Sequence, residues 1–446
     1  MAHYEMPVGW LRVKFTDVLD IQGGTQPPKA EFISDSKNGY VRLLQIRDFG
    51  KKPVPTYVPD TSKLKKCNKD DLLIGRYGAS LGRICTGMDG AYNVALAKVV
   101  VPLSINKFFL KSYLESGFFQ NGLRLLSRSA QNGFNKGDLE EFDFFLPPLA
   151  EQKVIAEKLD TLLAQVDNTK ARLERIPEIL KRFHQSVLAA AVSGRLTKSV
   201  AMSEKPINDL STVIGGLTKN AKRAELSIKK PYLRVANVYE NELRLDDIQK
   251  IGIKESELSK GLLQTGDLLI VEGNGSIDQI GRVALWQGEI KECMHQNHLI
   301  KVRLNKQILH PRFALFFLMS PVGKERIVEK ATSGAGLYTL SISKVSAIKV
   351  PIFNLEEQTE IVRRVDQLFA YADTVERQVN SALERVNQLT QSILAKAFRG
   401  ELTAQWRADN PELISGDNSA EALLERIKAE RAAQAPTKRT RKKASA

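Results

Sequence analysis

Leu149-Ala-Glu-Gln-Lys-Val-Ile-Ala-Glu-Lys-Leu-Asp160 and Leu355-Glu-Glu-Gln-Thr-Glu-Ile-Val-Arg-Arg-Val-Asp366 open two stretches, 149–197 and 355–403, that superpose without a gap. At a constant offset of 206 positions (355 less 149) they share Glu151/Glu357, Gln152/Gln358, Ile155/Ile361, Asp160/Asp366, Leu162/Leu368, Asp167/Asp373, Gln185/Gln391, Ser186/Ser392, Leu188/Leu394, Gly194/Gly400 and Thr197/Thr403. Similarity held over that length is the mark of an internal duplication.

Within each copy the seam residues step by four and three. In the first they run Ile155, Leu159, Leu162, Val166, Thr169, Leu173, Ile176, Leu180, Phe183 and Val187. In the second they run Ile361, Val365, Leu368, Ala372, Val375, Val379, Ala382, Val386, Leu389 and Ile393. This is the spacing of a coiled-coil seam, and it predicts two helices each roughly 60 Å long at 1.5 Å per residue. A stripe of that length needs a partner, and each copy is the natural partner of the other. Gly194 and Gly400 stand where the helices should stop. Pro177, in the first copy only, predicts a kink.

The segments ahead of the helices form a looser repeat. Phe15–Gly24 lies over Ile207–Gly216 and Tyr40–Ile46 over Tyr232–Val238, both at an offset of 192. Asp71–Ile74 lies over Asp267–Ile270, Gly82-Arg83 over Gly281-Arg282, and Ala95–Val99 over His298–Val302. Alternating β-branched runs predict strands at Tyr40–Ile46, Leu72–Ile74, Val94–Val101, Tyr232–Val238, Leu268–Val271 and Leu299–Leu304. Helices are expected over Phe108–Phe119 and Pro311–Ile327. Polar, glycine-bearing loops are expected at Ser127–Gly133 and Thr332–Gly336. The chain therefore reads as two consecutive copies of one α+β unit, a mixed domain followed by a long helix. The expected division is a first domain at 1–148, a helix at 149–197, a second domain at 206–350, a helix at 355–403, and a C-terminal part at 404–446. That last part holds a short amphipathic helix carrying Leu423, Leu424 and Ile427, then the basic run Lys438–Lys443.

The chain has 446 residues and a formal net charge of +15, with the excess concentrated on the two segments ahead of the helices. A basic pair of domains is the electrostatic footprint of a reader of polyanions. No run approaches the ~18 apolar residues of a membrane span, so the chain is expected to stay in the cytoplasm. Three scattered cysteines, Cys67, Cys85 and Cys293, make no disulfide framework.

Catalytic motifs are not found. There is no G-x-x-x-x-G-K-[ST] phosphate loop. Pro147-Pro148 stands between Leu146 and Leu149, without the small polar and aromatic neighbours of an amino-methyltransferase signature, and Gly75–Gly82 reads as a turn between strands. Cys293, His295 and His298 have a metal-like spacing, but alternation along a strand would turn His298 away from the other two. Polar contact of His295, Gln296, Asn297 and His298 with DNA is the better use, since Gln and Asn pair bidentately with adenine. For DNA contact, charge and loop placement select Arg42, Arg47, Lys51, Arg76, Arg83, Arg128 and Asn132 in the first domain. In the second they select Lys219, Lys222, Arg223, Arg234, Asn274, Arg282 and Lys301.

Two stretches carry a family likeness: Leu146-Pro-Pro-Leu-Ala-Glu-Gln-Lys-Val-Ile-Ala-Glu-Lys-Leu-Asp160 and Leu389-Thr-Gln-Ser-Ile-Leu-Ala-Lys-Ala-Phe-Arg-Gly-Glu-Leu-Thr-Ala-Gln-Trp-Arg407. Through them, and over essentially its whole length, the chain resembles the specificity subunit of Type I restriction–modification enzymes, the enterobacterial K-type group in particular. The resemblance implies two target-recognition domains, each reading half of a split asymmetric site in double-stranded DNA, separated by two long antiparallel helices. It implies docking of two modification subunits, which methylate adenine N6, and of two restriction (motor–nuclease) subunits. S-adenosylmethionine, ATP and Mg would then belong to those partners, with no cofactor on this chain. Half-sites one DNA turn apart lie roughly 34 Å from centre to centre, within the reach of such helices. The competing expectation is a coiled-coil scaffold whose basic domains bind nucleic acid without reading its sequence.

Overall fold

The computed structural model describes residues 6–129, 133–334 and 336–434. The two repeated stretches form helices of 44 residues each, Leu149–Val192 and Leu355–Phe398. The first runs on through Pro177. Both stop two residues short of a left-handed glycine, Gly194 at φ +74° and Gly400 at φ +73°. The seam is buried or half-buried along most of its length. Ile155, Leu159, Val166, Ile361, Val365, Val379 and Ile393 are buried, and Leu162, Leu173, Leu180, Leu368 and Val386 are half-buried. Thr169 and Leu389 are exposed, Leu389 by 48%. Each fully buried Leu or Ile contributes about 1.5–3 kcal/mol, so the stripe is the main source of helix stability.

Contacts divide the chain differently from the sequence segments. One compact unit holds the described residues up to Leu173 together with those from Ala382 onward, and the other holds Glu174–Ser381. Each unit thus takes half of each long helix, and within each the halves run antiparallel. In the first unit Ile155 and Leu159, near the start of one helix, share a core with Leu394 and Phe398 at the end of the other. In the second, Ile361 and Val365 share a core with Leu188 and Val192.

The residues common to both copies close these junctions. Buried Glu151 accepts from Trp10 Nε1 (2.8 Å), Thr403 Oγ1 (2.6 Å) and Arg407 Nη1 (2.5 Å). In the second unit Glu357 accepts from Ser199 Oγ at 2.5 Å, and Thr197 Oγ1 lies 2.8 Å from that hydroxyl. Gln152 and Gln358, both fully buried, each donate to a backbone carbonyl, of Pro147 (3.0 Å) and Phe353 (2.7 Å). Each also accepts the backbone N–H that opens a helix, of Asn106 (3.0 Å) and His310 (2.7 Å).

Both units build one sheet of the same design. In the first, strand Leu96–Val100 lies between Asp20–Gly23 and Leu73–Gly75, with Ile84–Cys85 beyond. In the second, Leu299–Leu304 lies between Ser211–Gly215 and Leu268–Val271, with Val283–Leu285 beyond. A smaller sheet in each carries one parallel pair, Tyr40–Leu44 beside Gly90–Tyr92 and Ile228–Leu233 beside Met294–His295. Here the structure corrects the sequence match by three residues. Leu44 faces Tyr92 and Leu233 faces His295, which are equivalent partners, so Leu44 corresponds to Leu233 and Gln45, not Arg42, to Arg234. The expected single helices are each two. Lys107–Glu115 and Gly117–Ser129 part at Ser116, and Pro311–Met319 and Pro321–Lys330 part at Ser320. Both serines are fully buried and bond the carbonyl three residues back, at 2.6 and 2.7 Å, which ends one helix and starts the next.

Helix Ala420–Gln434 buries Leu423 and Ile427 in the first unit's core beside Phe15 and Val18, and Leu424 packs partly against it. Arg431 Nη1 donates to Thr16 O at 2.6 Å, and Glu430 Oε2 accepts from Leu103 N at 3.0 Å. The basic run Lys438–Lys443 lies outside the described residues.

Candidate nucleic-acid interface

In each unit the pairing register brings several loops to one edge. In the first, the segments following strands Asp20–Gly23, Tyr40–Leu44 and Leu73–Gly75 meet the one preceding Leu96–Val100. Thr25 N bonds Tyr92 O (3.0 Å), Asn93 N bonds Leu44 O (3.1 Å) and Arg76 N bonds Ala95 O (2.9 Å). Gly24 makes the meeting possible, since a Cβ there would lie 2.1 Å from Asn93 O. Arg76 is pinned within this edge. Its Nε donates to Phe134 O (3.1 Å) and Nη1 to Val94 O (3.4 Å), and its guanidinium lies 5.1 Å from the ring centroid of Tyr77. Tyr77 is 38% exposed and was not among the residues singled out by charge.

Arg47 and Arg83 are exposed beside this edge, Arg47 donating to Thr56 Oγ1 (3.2 Å) and Arg83 to Phe49 O. Lys51 is exposed in the same segment as Arg47. Arg42 is drawn inward, with Nη2 3.3 Å from the buried carboxylate of Asp48. The side chain of Arg128 and all of Asn132 lie outside the described residues.

The second unit repeats the edge with other side chains. Glu272 N bonds His298 O (3.0 Å), Gln296 N bonds Leu233 O (2.9 Å) and Asn297 N bonds Leu217 O (3.1 Å). Gly216 replaces Gly24, with a Cβ position 2.2 Å from Gln296 O. Gln296 and Asn297 are half-buried here, as is Asn274, whose Oδ1 accepts from Ser276 N at 2.9 Å. The loop expected at Thr332–Gly336 is instead the start of a hairpin. Thr332–Gly334 pairs with Leu337–Thr339, which pairs in turn with Gly273–Asn274. Strand Thr332–Gly334 is exposed throughout and Leu337 is 45% exposed.

Cations in this unit divide by environment. Lys219 and Lys222 are exposed. Arg223 is held in a two-pronged ion pair with Glu257 (2.7 and 2.9 Å), whose hydrogen bonds push the Glu257 carboxyl down to about 2. Arg234 pairs with Asp247 at 2.6 Å, and Arg282 stacks 5.1 Å from the Tyr239 ring centroid. Lys301 is a correction. It is fully buried, its Nζ donates to Lys260 O (2.7 Å) and Leu262 O (3.1 Å), and burial followed by the charge of Arg303 lowers it to about 8. It therefore ties a loop to the sheet and is closed to DNA, as Lys98 ties Lys66 O at 3.2 Å in the first unit. His295 is a second correction. It is 1% exposed, and burial with the charge of Lys301 lowers it to about 4. Cys293 lies in an apolar cluster with Leu263 and Trp286, and His298 turns to Glu272. Among the described residues no three His, Cys, Asp or Glu are grouped to hold a metal.

The duplicated sheet edge, with different side chains in each copy, places the chain among proteins built from two repeats of one α+β unit. The chain matches the family described as the Type I restriction modification DNA specificity domain over residues 7–178 and 200–385, and it belongs to that family. It is 39% identical over 472 aligned residues to the Type I restriction enzyme EcoKI specificity subunit of Escherichia coli (strain K12), covering 99% of this chain and all of that one. It is 38% identical to the StySPI specificity subunit of Salmonella potsdam, with both chains fully covered. A solved chain from a type I R-M system matches the fold with a TM-score of 0.65 at 17% identity, over 89% of this chain and all of that one. The HsdS subunit from Thermoanaerobacter tengcongensis gives 0.54 at 19%, over 90% and 99%.

Proposed function

We propose that this chain is the non-catalytic DNA-specificity subunit of a Type I restriction–modification complex and reads a bipartite, asymmetric site, one half with each unit. The observation that carries this reading is the pair of equivalent loop edges bearing unlike side chains. Arg76 and Tyr77 stand in one where Glu272 and Gly273 stand in the other, on a matching strand–strand frame. Identical edges would read a symmetric site, and unlike ones read two different half-sites. In this reading two modification subunits and two restriction subunits are the protein partners. S-adenosylmethionine, ATP and Mg reside on them, and the complex works in the cytoplasm. No described helix is long and apolar enough to cross a membrane.

Exposed cations such as Arg47, Lys51, Lys219 and Lys222 supply phosphate contacts, and the polar groups of the edges read bases. A competition assay on the complex with its modification partner tests this. Affinity for DNA carrying the site should exceed that for random DNA by ~10³ or more at physiological salt. A scaffold that binds without reading would show equal affinities, both falling alike as salt rises.

A further inference from the structure

Glu272 is an odd residue for a DNA-facing edge of a basic protein. Strand pairing fixes its counterpart. Leu73 faces Lys98 as Leu269 faces Lys301, so Glu272 stands where Arg76 stands and His298 where Ala95 stands. The same backbone bond follows each, from Arg76 N to Ala95 O and from Glu272 N to His298 O. In the first unit the position holds a cation that gives two of its five donors to Phe134 O and Val94 O. In the second it holds a carboxylate. Its Oε2 lies 3.0 Å from His298 Nδ1, and its Oε1 has no partner among the described residues. The Glu272 side chain is 33% exposed and that of His298 58%, so both open to solvent.

A carboxylate on such a surface is repelled by phosphates. In the major groove, the side that distinguishes all four base pairs, the DNA groups that can reward it are the amino groups of cytosine N4 and adenine N6, because an ionised carboxylate only accepts hydrogen bonds. Guanine O6 and thymine O4 in the same place would set acceptor against acceptor. His298 holds one oxygen and so aims the other.

We propose that Glu272, oriented by His298, determines specificity in the second unit by accepting from the exocyclic amino group of a cytosine or adenine and rejecting a keto group there. This rests on the reading of the chain as a bipartite DNA reader. His298 is the positioning residue of the pair.

The test is genome-wide mapping of N6-methyladenine by the complex of full-length chain and modification partner, for the wild type and for Glu272→Ala, Glu272→Gln, His298→Ala and Asn297→Ala. The wild-type map gives the two half-sites, and the base pair that the Glu272 variants relax identifies the amino-bearing base, cytosine or adenine, that Glu272 reads. Glu272→Ala should relax that base pair about tenfold or more and leave the other half-site unchanged. Glu272→Gln keeps the shape and serves if the alanine variant folds poorly. It should relax the same position by less, because an amide offers both a donor and an acceptor. His298→Ala should relax the same base pair, and combining it with Glu272→Ala should add nothing. Asn297→Ala, from the same edge, should alter the same half-site. An unchanged motif in both Glu272 variants, or a change in the half-site that Asn297→Ala leaves intact, overturns the assignment alone. A wild type that yields no bipartite motif overturns the underlying reading and the assignment with it.

Discussion

Glu151→Ala is expected to lower the unfolding free energy of the first unit by about 3–5 kcal/mol, the cost of breaking a buried ion pair from one side. The carboxylate is fully buried and satisfies three donors from two separate parts of the chain: Trp10 near the start, and Thr403 and Arg407 after the second long helix. Removing it takes the counter-ion from an arginine whose side chain is 12% exposed and leaves it bonded only to the neutral Thr403 Oγ1 and Gly400 O. Denaturant unfolding checks this in a Trp286→Phe background, where the remaining fluorescence comes from Trp10 and Trp406, both in the first unit. The matching change Glu357→Ala should cost only about 1 kcal/mol, since Glu357 is half-buried and its side-chain bond is to a neutral hydroxyl of Ser199. Equal losses for the two variants would show that the Arg407 pair contributes little.

Gly216→Ala should destabilise the second unit by about 1–3 kcal/mol, the usual cost of overpacking, and blur one half of the DNA site. The new Cβ would fall 2.2 Å from Gln296 O and 2.3 Å from His295 O. Both are backbone atoms that cannot swing aside, so the segment carrying Gln296, Asn297 and His298 must move. The relevant measurement is the degree of methylation at sites mismatched in each half separately. Mismatches in one half-site should become tolerated while the other half stays strict. Unaltered discrimination in both halves, in a variant that folds, would remove this segment from the reading surface.

Much of the architecture was legible because its cause is periodic. The seam from Ile155 to Val187 and its copy state two long helices outright, and the identity of Glu151/Glu357, Gln152/Gln358 and Gly194/Gly400 marks equivalent junctions, closed alike at the glutamines and differently at the glutamates. What the sequence hides is of two kinds. The helix break at Ser116 leaves the apolar pattern undisturbed, because a buried serine ends a helix by a hydrogen bond and not by polarity, whereas the break at Ser320 is written in Pro321, which opens the next helix. The three-residue slip between Tyr40–Leu44 and Ile228–Leu233 is hidden because short strands repeat every two residues and accept several alignments. The register appears only once their parallel partners are known.

The interface was the harder part for an electrostatic reason. A search by charge selects cations, so it took Lys301, which is consumed in capping backbone carbonyls, and Arg223, which is consumed by Glu257. It passed over Tyr77 and Glu272, whose value lies in their place at the convergent edge. Gln296 and Asn297, singled out for amide chemistry, and Asn274, singled out for its loop, all stand half-buried at this edge.

The central claim, that two unlike edges on one chain read the two halves of one DNA site, is tested most directly by expressing the full chain with its modification partner in a methylation-free host and mapping N6-methyladenine across the genome. The account predicts a single motif of two different half-sites separated by an unspecified spacer of fixed length. A symmetric motif, a motif with only one specified half, or no methylation from a soluble and associated complex would contradict it.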